Sequence, residues 1–183
     1  MATPFAGGRI NWENQKRFLP IVAQAAQTYH LDEALLHAVI STESGYEPRA
    51  LSPKGAIGLM QVMPATGKQL NVGDITRMDA NIEAGVKYMR FMIDQYFKNE
   101  PMTPLNKGLF AFASYNAGPN RIQQLRKVAA ARGLDPNVWL NNVERVVAEK
   151  VGRETVTYVS NIYKYYVAYT LIVQEMDGKA KGR

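Results

Sequence analysis

Glu43 is the residue of this sequence whose position most favours chemistry. The segment 32–44 has the spacing of one amphipathic helix, and the stripe of apolar positions on its core-facing side is Leu35, Leu36, Val39 and Ile40. The same stripe continues to Glu43, directly before the helix-ending Ser44-Gly45-Tyr46. A carboxylate there is desolvated on one side and reachable from the other. We therefore expect its pKa to rise above the ordinary glutamate value of about 4.3, as a general acid requires.

A structural role for Glu43 is the alternative. Carboxylates on an apolar helix face often form ion pairs, and Arg49 is close enough in sequence to be the partner. This helix alone does not decide between the two roles, so the remaining motifs must.

Helical periodicity dominates the chain, and strand-like alternation is nearly absent. The pattern predicts short helical turns near 136–148 and helices at 13–29, 32–44, 64–70, 79–98, 104–116, 119–132 and 153–175. In the helix near 79, Asp79 and Asn81 are cap candidates. The last helix carries an apolar face that is made by Val159, Ile162, Tyr166, Tyr169 and Val173. These features predict one all-α domain at 13–176, preceded by a linker or remnant at 1–12 and followed by a flexible tail at 177–183.

The amino-acid composition excludes several kinds of binding site and function. The chain has 183 residues, no cysteine and a formal net charge of +6. Without cysteine there are no disulfides or thiolate metal sites, and we assign no metal to His30 or His37. The positive charge favours an anionic partner, but no zinc-finger or RNA-binding signature is present, so we expect no nucleic acid as partner. No apolar run is long enough to insert into a membrane.

The segment Ser52–Gln61 is typical of a loop that approaches a ligand. Gly55 and Gly58 permit a tight turn, Gln61 offers a donor and an acceptor, and Met60 offers a polarisable surface. An ordinary interhelical loop is the alternative.

Two further segments carry polar aromatic residues. In Ser114–Asn120, Gly118 and Pro119 can end one helix and start the next, but the pair Tyr115-Asn116 is typical of a carbohydrate subsite. At the start of the last helix, Tyr158 lies off the apolar stripe, so its hydroxyl could face a cleft.

Taken together, these motifs resemble the lytic transglycosylase (SLT) domain. The matching residues occur in the family's order and spacing, and they are Glu43-Ser44, Gly58-Leu59-Met60-Gln61, Tyr115-Asn116-Ala117-Gly118 and Glu154-Thr155-x-x-Tyr158-Val159. The stretch 133–144 is similar to the membrane-bound lytic transglycosylase F subfamily. Ser114 departs from the alanine usual in the family, and we expect this to alter packing beside Tyr115 without affecting the chemistry.

The resemblance implies an all-α, lysozyme-like helical domain of the goose-type lysozyme and SLT kind, with a glycan cleft. It implies cleavage of the β-1,4 bond between N-acetylmuramic acid and N-acetylglucosamine in peptidoglycan, with formation of 1,6-anhydro-muramyl ends. In this family Glu43 would be the catalytic acid and base, and Tyr158 would orient it. Ser52, Met60 and Gln61 would line the cleft, while Tyr115 and Asn116 would contact the acetamido sugars.

The residues agree with a site that has one carboxylate. Most glycosidases use two, but Glu154 is the only other acidic residue in the motif segments, and Glu47 precedes Pro48 in an expected extended loop. One glutamate suffices if the substrate supplies the nucleophile, and no cofactor is then needed. Goose-type muramidase hydrolysis and a non-catalytic glycan-binding module remain the alternatives. We expect peptidoglycan strands as the partner, a monomer, and a location in the periplasm or cell envelope.

Overall fold

The computed structural model describes residues 12–182, except for the side chains of Trp12 and Met176. The predicted N-terminal linker lies outside these residues apart from Trp12, where the first helix begins. The helices are α1 (Trp12–Tyr29), α2 (Glu33–Ser44), α3 (Pro64–Leu70), α4 (Met78–Tyr96), α5 (Pro104–Ala117), α6 (Pro119–Ala131), α7 (Glu144–Lys150) and α8 (Arg153–Lys181). Strands are absent from this described part of the chain. Two isolated antiparallel bridges occur there, one between Leu51 and Ile57 and one between Ile57 and Val62. The predicted all-α class is confirmed.

The predicted helix positions agree with the structure, except at the C-terminal end of the last helix, α8. Each of the seven predicted helices begins and ends within two residues of its expected position, apart from the end of α8. That helix extends to Lys181, so residues 177–181, expected to be a flexible tail, are helical. Lys179 and Lys181 lie in its last turn, where positive charge stabilises the helix dipole.

The described residues form two compact units, 12–87 with 161–182, and 88–160. In the second unit, Phe110 packs edge-on against Trp139 with ring centroids 5.6 Å apart. The guanidinium of Arg126 lies 5.7 Å from the ring centroid of Phe97 and pairs with Glu100 at 3.1 Å. Between α6 and α7 the segment Trp139–Val143 is kinked rather than regularly helical, because Asn141 takes a left-handed conformation with φ 59°.

The first unit contains α2, and this helix is buried on all sides. Ten consecutive residues, Leu35–Ser44, are buried, so the prediction of an amphipathic helix with a polar outer face is wrong. Asp32 caps its start by accepting a hydrogen bond from the N–H of Ala34 at 2.9 Å. Gly45, at φ 59°, ends it by donating to the carbonyls of Ile40 and Ser41.

Burial of α2 brings polar side chains into the core, where they bond to one another. His37 is 4% exposed, and its Nδ1 accepts from the Tyr46 hydroxyl at 2.5 Å while its Nε2 faces Glu33 Oε1 at 3.5 Å. The Tyr46 and Tyr169 hydroxyls are hydrogen-bonded, and the Ser41 hydroxyl lies 3.0 Å from that of Tyr169. We call these four buried side chains (His37, Ser41, Tyr46 and Tyr169) the α2 polar network.

Burial sets the charge of this network. It lowers the pKa of His37, and the neighbouring Glu33 carboxylate only partly opposes the shift. Burial also raises the pKa of both Tyr46 and Tyr169. Both tyrosines and His37 are therefore neutral near pH 7. The neutral imidazole then accepts at Nδ1 and donates from Nε2, which satisfies both of its contacts.

The lowered pKa of His37 predicts that stability falls as the solution becomes acidic. In the unfolded chain His37 takes up a proton near pH 6.5, whereas the folded chain resists it to lower pH. At this residue the unfolded state thus binds more protons in this window, so His37 should contribute a decrease in the free energy of unfolding of up to about 1.4 kcal/mol per pH unit below about pH 6.5. Urea unfolding between about pH 7.5 and 5.5, above the range of ordinary carboxylates, measures this slope.

His37→Asn is the control, because its side chain keeps an acceptor but cannot titrate. It should be less stable than the native chain, and its free energy of unfolding should lack the His37 contribution to the pH dependence. Equal slopes for the two proteins would contradict the assignment.

Candidate active site

Glu43 lies in the last turn of α2 and is 1% exposed. Its neighbours Thr42 and Ser44 are also buried, so the burial is more complete than the one-sided desolvation expected from an amphipathic helix. The turn that follows is fixed by two left-handed residues, Gly45 and Tyr46. Tyr46 is completely buried, which anchors this turn in the core.

Ser44 joins the end of α2 to the loop that contains three of the other predicted site residues. Its hydroxyl donates to the carbonyl of Leu59 at 2.7 Å and lies 3.2 Å from the carbonyl of Ile40 in its own helix. The backbone beside Glu43 is therefore held against the loop 52–62 by a buried hydrogen bond. The sequence motif contained Ser44 but indicated no such role.

The loop is closed by its own backbone and by Ser52. The backbone N–H of Ser52 donates to the carbonyl of Ala56, and the Ser52 hydroxyl oxygen accepts from the N–H of Ala56 at 2.9 Å. Position 58 requires glycine for two reasons. Its φ of +77° is a conformation that residues with a side chain rarely adopt, and an added Cβ would lie only 2.6 Å from Nδ2 of Asn81.

Asn81 holds this loop from α4. Its amide nitrogen donates to the carbonyls of Ile57 and Ile75, and its Oδ1 accepts from the N–H of Met60 at 3.0 Å. Asn81 is 1% exposed, so the prediction that it caps the start of α4 is wrong. A polar residue directly beside Ile82 on a buried helix face was the available signal for this role.

Met60 and Gln61 belong to this loop, and their side chains are buried. Gln61 has a left-handed backbone, and its amide nitrogen donates to the carbonyls of Gly58 at 2.9 Å and Ala50 at 3.1 Å. Met60 packs against α4, since an added Cβ at Gly85 would lie 2.4 Å from the methionine sulfur. With Ser52 these side chains are between 2% and 6% exposed, so each has a role in shaping the loop.

The remaining predicted residues lie in the second unit. Tyr115 is half-buried and packs edge-on against Tyr88, with ring centroids 5.2 Å apart. Tyr158 is buried on α8, and Ser114 is 1% exposed on α5. The Ser114 hydroxyl makes no hydrogen bond to any residue that the structure describes, so its substitution for alanine brings a polar atom into the core.

Thr155 connects two of the sequence motifs. Its hydroxyl donates to Oδ1 of the half-buried Asn116 at 2.6 Å, so the orientation of this amide is fixed from α8. Thr155 itself is 2% exposed. Sequence analysis gave it no role, although it lies three residues before Tyr158 and therefore on the same side of the helix.

Neither a metal site nor a membrane span is found among the described residues. Over 12–182, no three His, Cys, Asp or Glu side chains are grouped as metal ligands would be. None of the helices in this range combines the length and apolar character needed to cross a bilayer.

Comparison with known proteins defines the class of the domain. A family model described as "Transglycosylase SLT domain" matches residues 20–136. The fold resembles that of the lytic transglycosylase Slt from Pseudomonas aeruginosa, which was solved as an inactive mutant. The TM-score is 0.65 at 25% sequence identity, and the match covers 85% of this chain and 24% of that one. The 70 kDa soluble lytic transglycosylase from Escherichia coli gives a TM-score of 0.67 at 23% identity, covering 87% of this chain and 26% of that one. This chain belongs to the transglycosylase SLT domain family and has its lysozyme-like helical fold.

Sequence relatives narrow the resemblance within that family. The chain is 33% identical over 163 residues to the membrane-bound lytic murein transglycosylase F of Desulfosudis oleivorans, covering 82% of this chain and 36% of that protein. It is 30% identical over 179 residues to the protein of the same name from Marinobacter nauticus, covering 91% and 35%. The predicted similarity to this subfamily is confirmed. The chain spans about a third of the length of these curated relatives.

The bond between Thr155 and Asn116 can be tested by a double-mutant cycle. Thr155→Val keeps the shape of the side chain but removes the donor, which should lower the free energy of unfolding by about 1 kcal/mol. In an Asn116→Ala background the same change should cost almost nothing, because the acceptor is already absent. Urea unfolding of the four proteins measures the coupling. An equal cost in both backgrounds would show that the hydroxyl does not stabilise Asn116.

Proposed function

We propose that this domain is a peptidoglycan lytic transglycosylase in which Glu43 acts as acid and then as base. The observation that carries the proposal is the burial of Glu43, within a family motif, at the end of a core helix. Burial disfavours an ionised carboxylate, so it favours the protonated form that a general acid needs. The turn after Glu43 and the Ser44 hydrogen bond keep this carboxyl in a fixed place.

The relatives support this assignment. The curated proteins that the chain resembles are named lytic murein transglycosylases. The Pseudomonas aeruginosa Slt protein is described as an inactive mutant in which glutamine replaces a glutamate. Replacement of one glutamate thus accompanies loss of activity in that protein, and we propose the same for Glu43 in this one.

The proposed reaction proceeds without net addition of water. Protonated Glu43 gives its proton to the glycosidic oxygen as the bond from the muramyl C1 to that oxygen breaks. The carbonyl oxygen of the muramyl acetamido group stabilises the positive charge at C1. The ionised Glu43 then removes the proton from the C6 hydroxyl, whose oxygen bonds to C1. This closes the 1,6-anhydro ring and returns Glu43 to its starting state.

The positions of other carboxylates fit a site with one glutamate. A water-activating second carboxylate would need a fixed place near the scissile bond. Glu47 and Glu154, the nearest candidates from the sequence, are both exposed side chains. Glu47 accepts a hydrogen bond from the backbone of Arg49 at 3.0 Å, and Glu154 lies in the first turn of α8, where it complements the helix dipole.

The proposed substrate contacts divide into two kinds. Tyr115 and Asn116 are half-buried, so they can touch sugars directly. Thr155 occupies Oδ1 of Asn116, which leaves the amide nitrogen as the donor for an acetamido carbonyl. We assign Ser52, Met60 and Gln61 to holding the loop that faces the sugar, because their side chains are buried, and we keep Tyr158 as a residue of the site.

The proposed substrate also agrees with the charge and with the names of the relatives. Peptidoglycan stems carry carboxylates, and this chain has a net charge of +6. Its relatives are called membrane-bound murein enzymes. We therefore propose a place in the cell envelope, on the periplasmic side.

Digestion of purified sacculi tests the proposal. Mass spectrometry of the released muropeptides should detect anhydro-muramyl ends. Glu43→Gln should lower their formation at least about a hundredfold while the chain stays folded, because losing an acid–base group costs about 10²–10⁴ in rate. Glu47→Gln is the matched control: it removes a nearby exposed carboxylate and should retain native activity.

Three results would count against the proposal. Hydrated reducing ends would indicate a muramidase that activates water. More than about a hundredth of native activity in Glu43→Gln would exclude an acid–base role. Binding to sacculi without release by the native chain would indicate a glycan-binding module.

A further inference from the structure

A cavity lies in the first unit, between the first half of α1, the start of α2 and the second half of α8. Its volume is about 520 Å³, which is in the range of small-molecule sites. Leu19, Ile172 and Val173 contribute to an apolar wall. Val173 was predicted to belong to the buried face of α8, but it is 52% exposed and lies beside this cavity.

One residue of the cavity lining carries a buried acceptor that has no donor among the described residues. Gln15 lines it and is 5% exposed. Its Oε1 is buried and accepts no hydrogen bond from any residue in the described range 12–182. Buried polar atoms normally have a partner, because leaving them without one costs free energy. Because this oxygen is closed to solvent, a ligand N–H in the cavity becomes its partner once the Gln15 side chain turns toward the ligand.

The charges around the cavity favour a cationic ligand over an anionic one. Asp32 and Glu33 contribute two carboxylates, whereas Lys16 is the single basic side chain in the lining. Lys16 also lies 3.9 Å from Glu13, on the surface of α1. His37 is neutral because burial lowers its pKa. The lining is therefore acidic on balance, although the whole chain has a net charge of +6.

We propose that this cavity binds a small cationic amphiphile, a protonated primary amine joined to an apolar or aromatic body. On binding, the Gln15 side chain turns toward the ligand, so that Oε1 accepts a hydrogen bond from the ammonium group, which Asp32 and Glu33 also attract. The body packs against Leu19, Ile172 and Val173. None of the residues that line this cavity is among those assigned to glycan cleavage.

The position of the cavity also links it to the turn after Glu43. His37 and Tyr169 line the cavity, and both belong to the α2 polar network. Tyr46 in that network directly follows Gly45, which ends α2. A ligand that touches His37 or Tyr169 therefore perturbs side chains that hold this turn. Its consequence for catalysis depends on the proposed function, whereas binding itself does not.

The test uses phenylbutylamine as the probe and phenylbutyrate as its anionic counterpart of similar size. The full chain, labelled at the methyl groups of Leu, Ile and Val and at the backbone amide nitrogens, is titrated with each compound and followed by NMR. Phenylbutylamine should shift the methyl resonances of Leu19, Ile172 and Val173 and the amide resonance of Gly45. Phenylbutyrate should bind at least tenfold more weakly.

Two variants assign the recognition to Gln15. Gln15→Met keeps the length of the side chain but removes the acceptor, and it should weaken phenylbutylamine about tenfold, as expected for a hydrogen bond to a charged group. Gln69→Met, at an exposed position on α3, is the matched control and should bind like the native chain.

Several outcomes would overturn the proposal. Phenylbutylamine that causes no saturable shifts, or shifts only methyl groups other than those of Leu19, Ile172 and Val173, would be one such result. Equal affinity for phenylbutylamine and phenylbutyrate would be another. A third would be unchanged phenylbutylamine affinity in a Gln15→Met chain that has kept its native methyl spectrum. If Gln15→Met loses the native spectrum, Val173→Trp, at a half-exposed position beside the cavity, replaces it as the test. Unweakened amine binding in Val173→Trp would place the ligand elsewhere. None of these readouts uses sacculus cleavage, so they fail or succeed independently of the proposed function.

Discussion

The complete burial of α2 is the constraint on which the site depends. A helix with ten consecutive buried residues normally carries apolar side chains, yet this one includes His37, Ser41, Thr42, Glu43 and Ser44. Polar groups in a core must find partners, so the surrounding elements supply them. Thr42 bonds to the carbonyl of Ala38, Ser44 to that of Leu59, and Ser41 and His37 belong to the network with Tyr46 and Tyr169. These bonds fix the helix and the loop beside it around Glu43.

The arrangement joins stability to chemistry. A carboxyl group in the same buried helix end is removed from water, which favours its protonated state. A carboxyl group on a mobile surface loop would instead keep its ordinary pKa and could take many orientations. The same hydrogen bonds that make burial of the polar residues tolerable therefore hold the helix end that carries Glu43, the residue on which the proposed reaction rests.

Much of the fold follows from short-range signals in the sequence. Asp32 and Gly45 mark the ends of α2, and prolines mark the starts of α3, α5 and α6, so the helix bounds were predictable. The polar outer face expected for α2 was not found, because periodicity identifies the apolar stripe but cannot tell whether neighbouring elements also cover the opposite side. The extension of α8 to Lys181 was missed because Gly178 and the charged residues around it resemble a helix end.

The long-range bonds of the site were beyond sequence reasoning. Asn81 resembled a helix cap, but its partners Ile57 and Met60 lie more than twenty residues away along the chain. Thr155 and Asn116 are separated by 39 positions, and nothing in either motif indicates their contact. Glu43 was found because a charged residue on an apolar stripe is a local contradiction. Residues such as Gln15, whose significance comes from an absent partner, leave no such local signal.

The central claim is that the buried Glu43 is protonated at neutral pH and can therefore act as an acid. NMR of the chain with labelled glutamate carboxyl carbons, titrated in parallel with Glu43→Gln, measures this directly. The resonance that is missing from the variant should titrate well above the ordinary glutamate range in the native chain, as expected for a buried carboxyl group. A resonance that instead titrates near about pH 4.3, like an ordinary exposed glutamate, would contradict the claim.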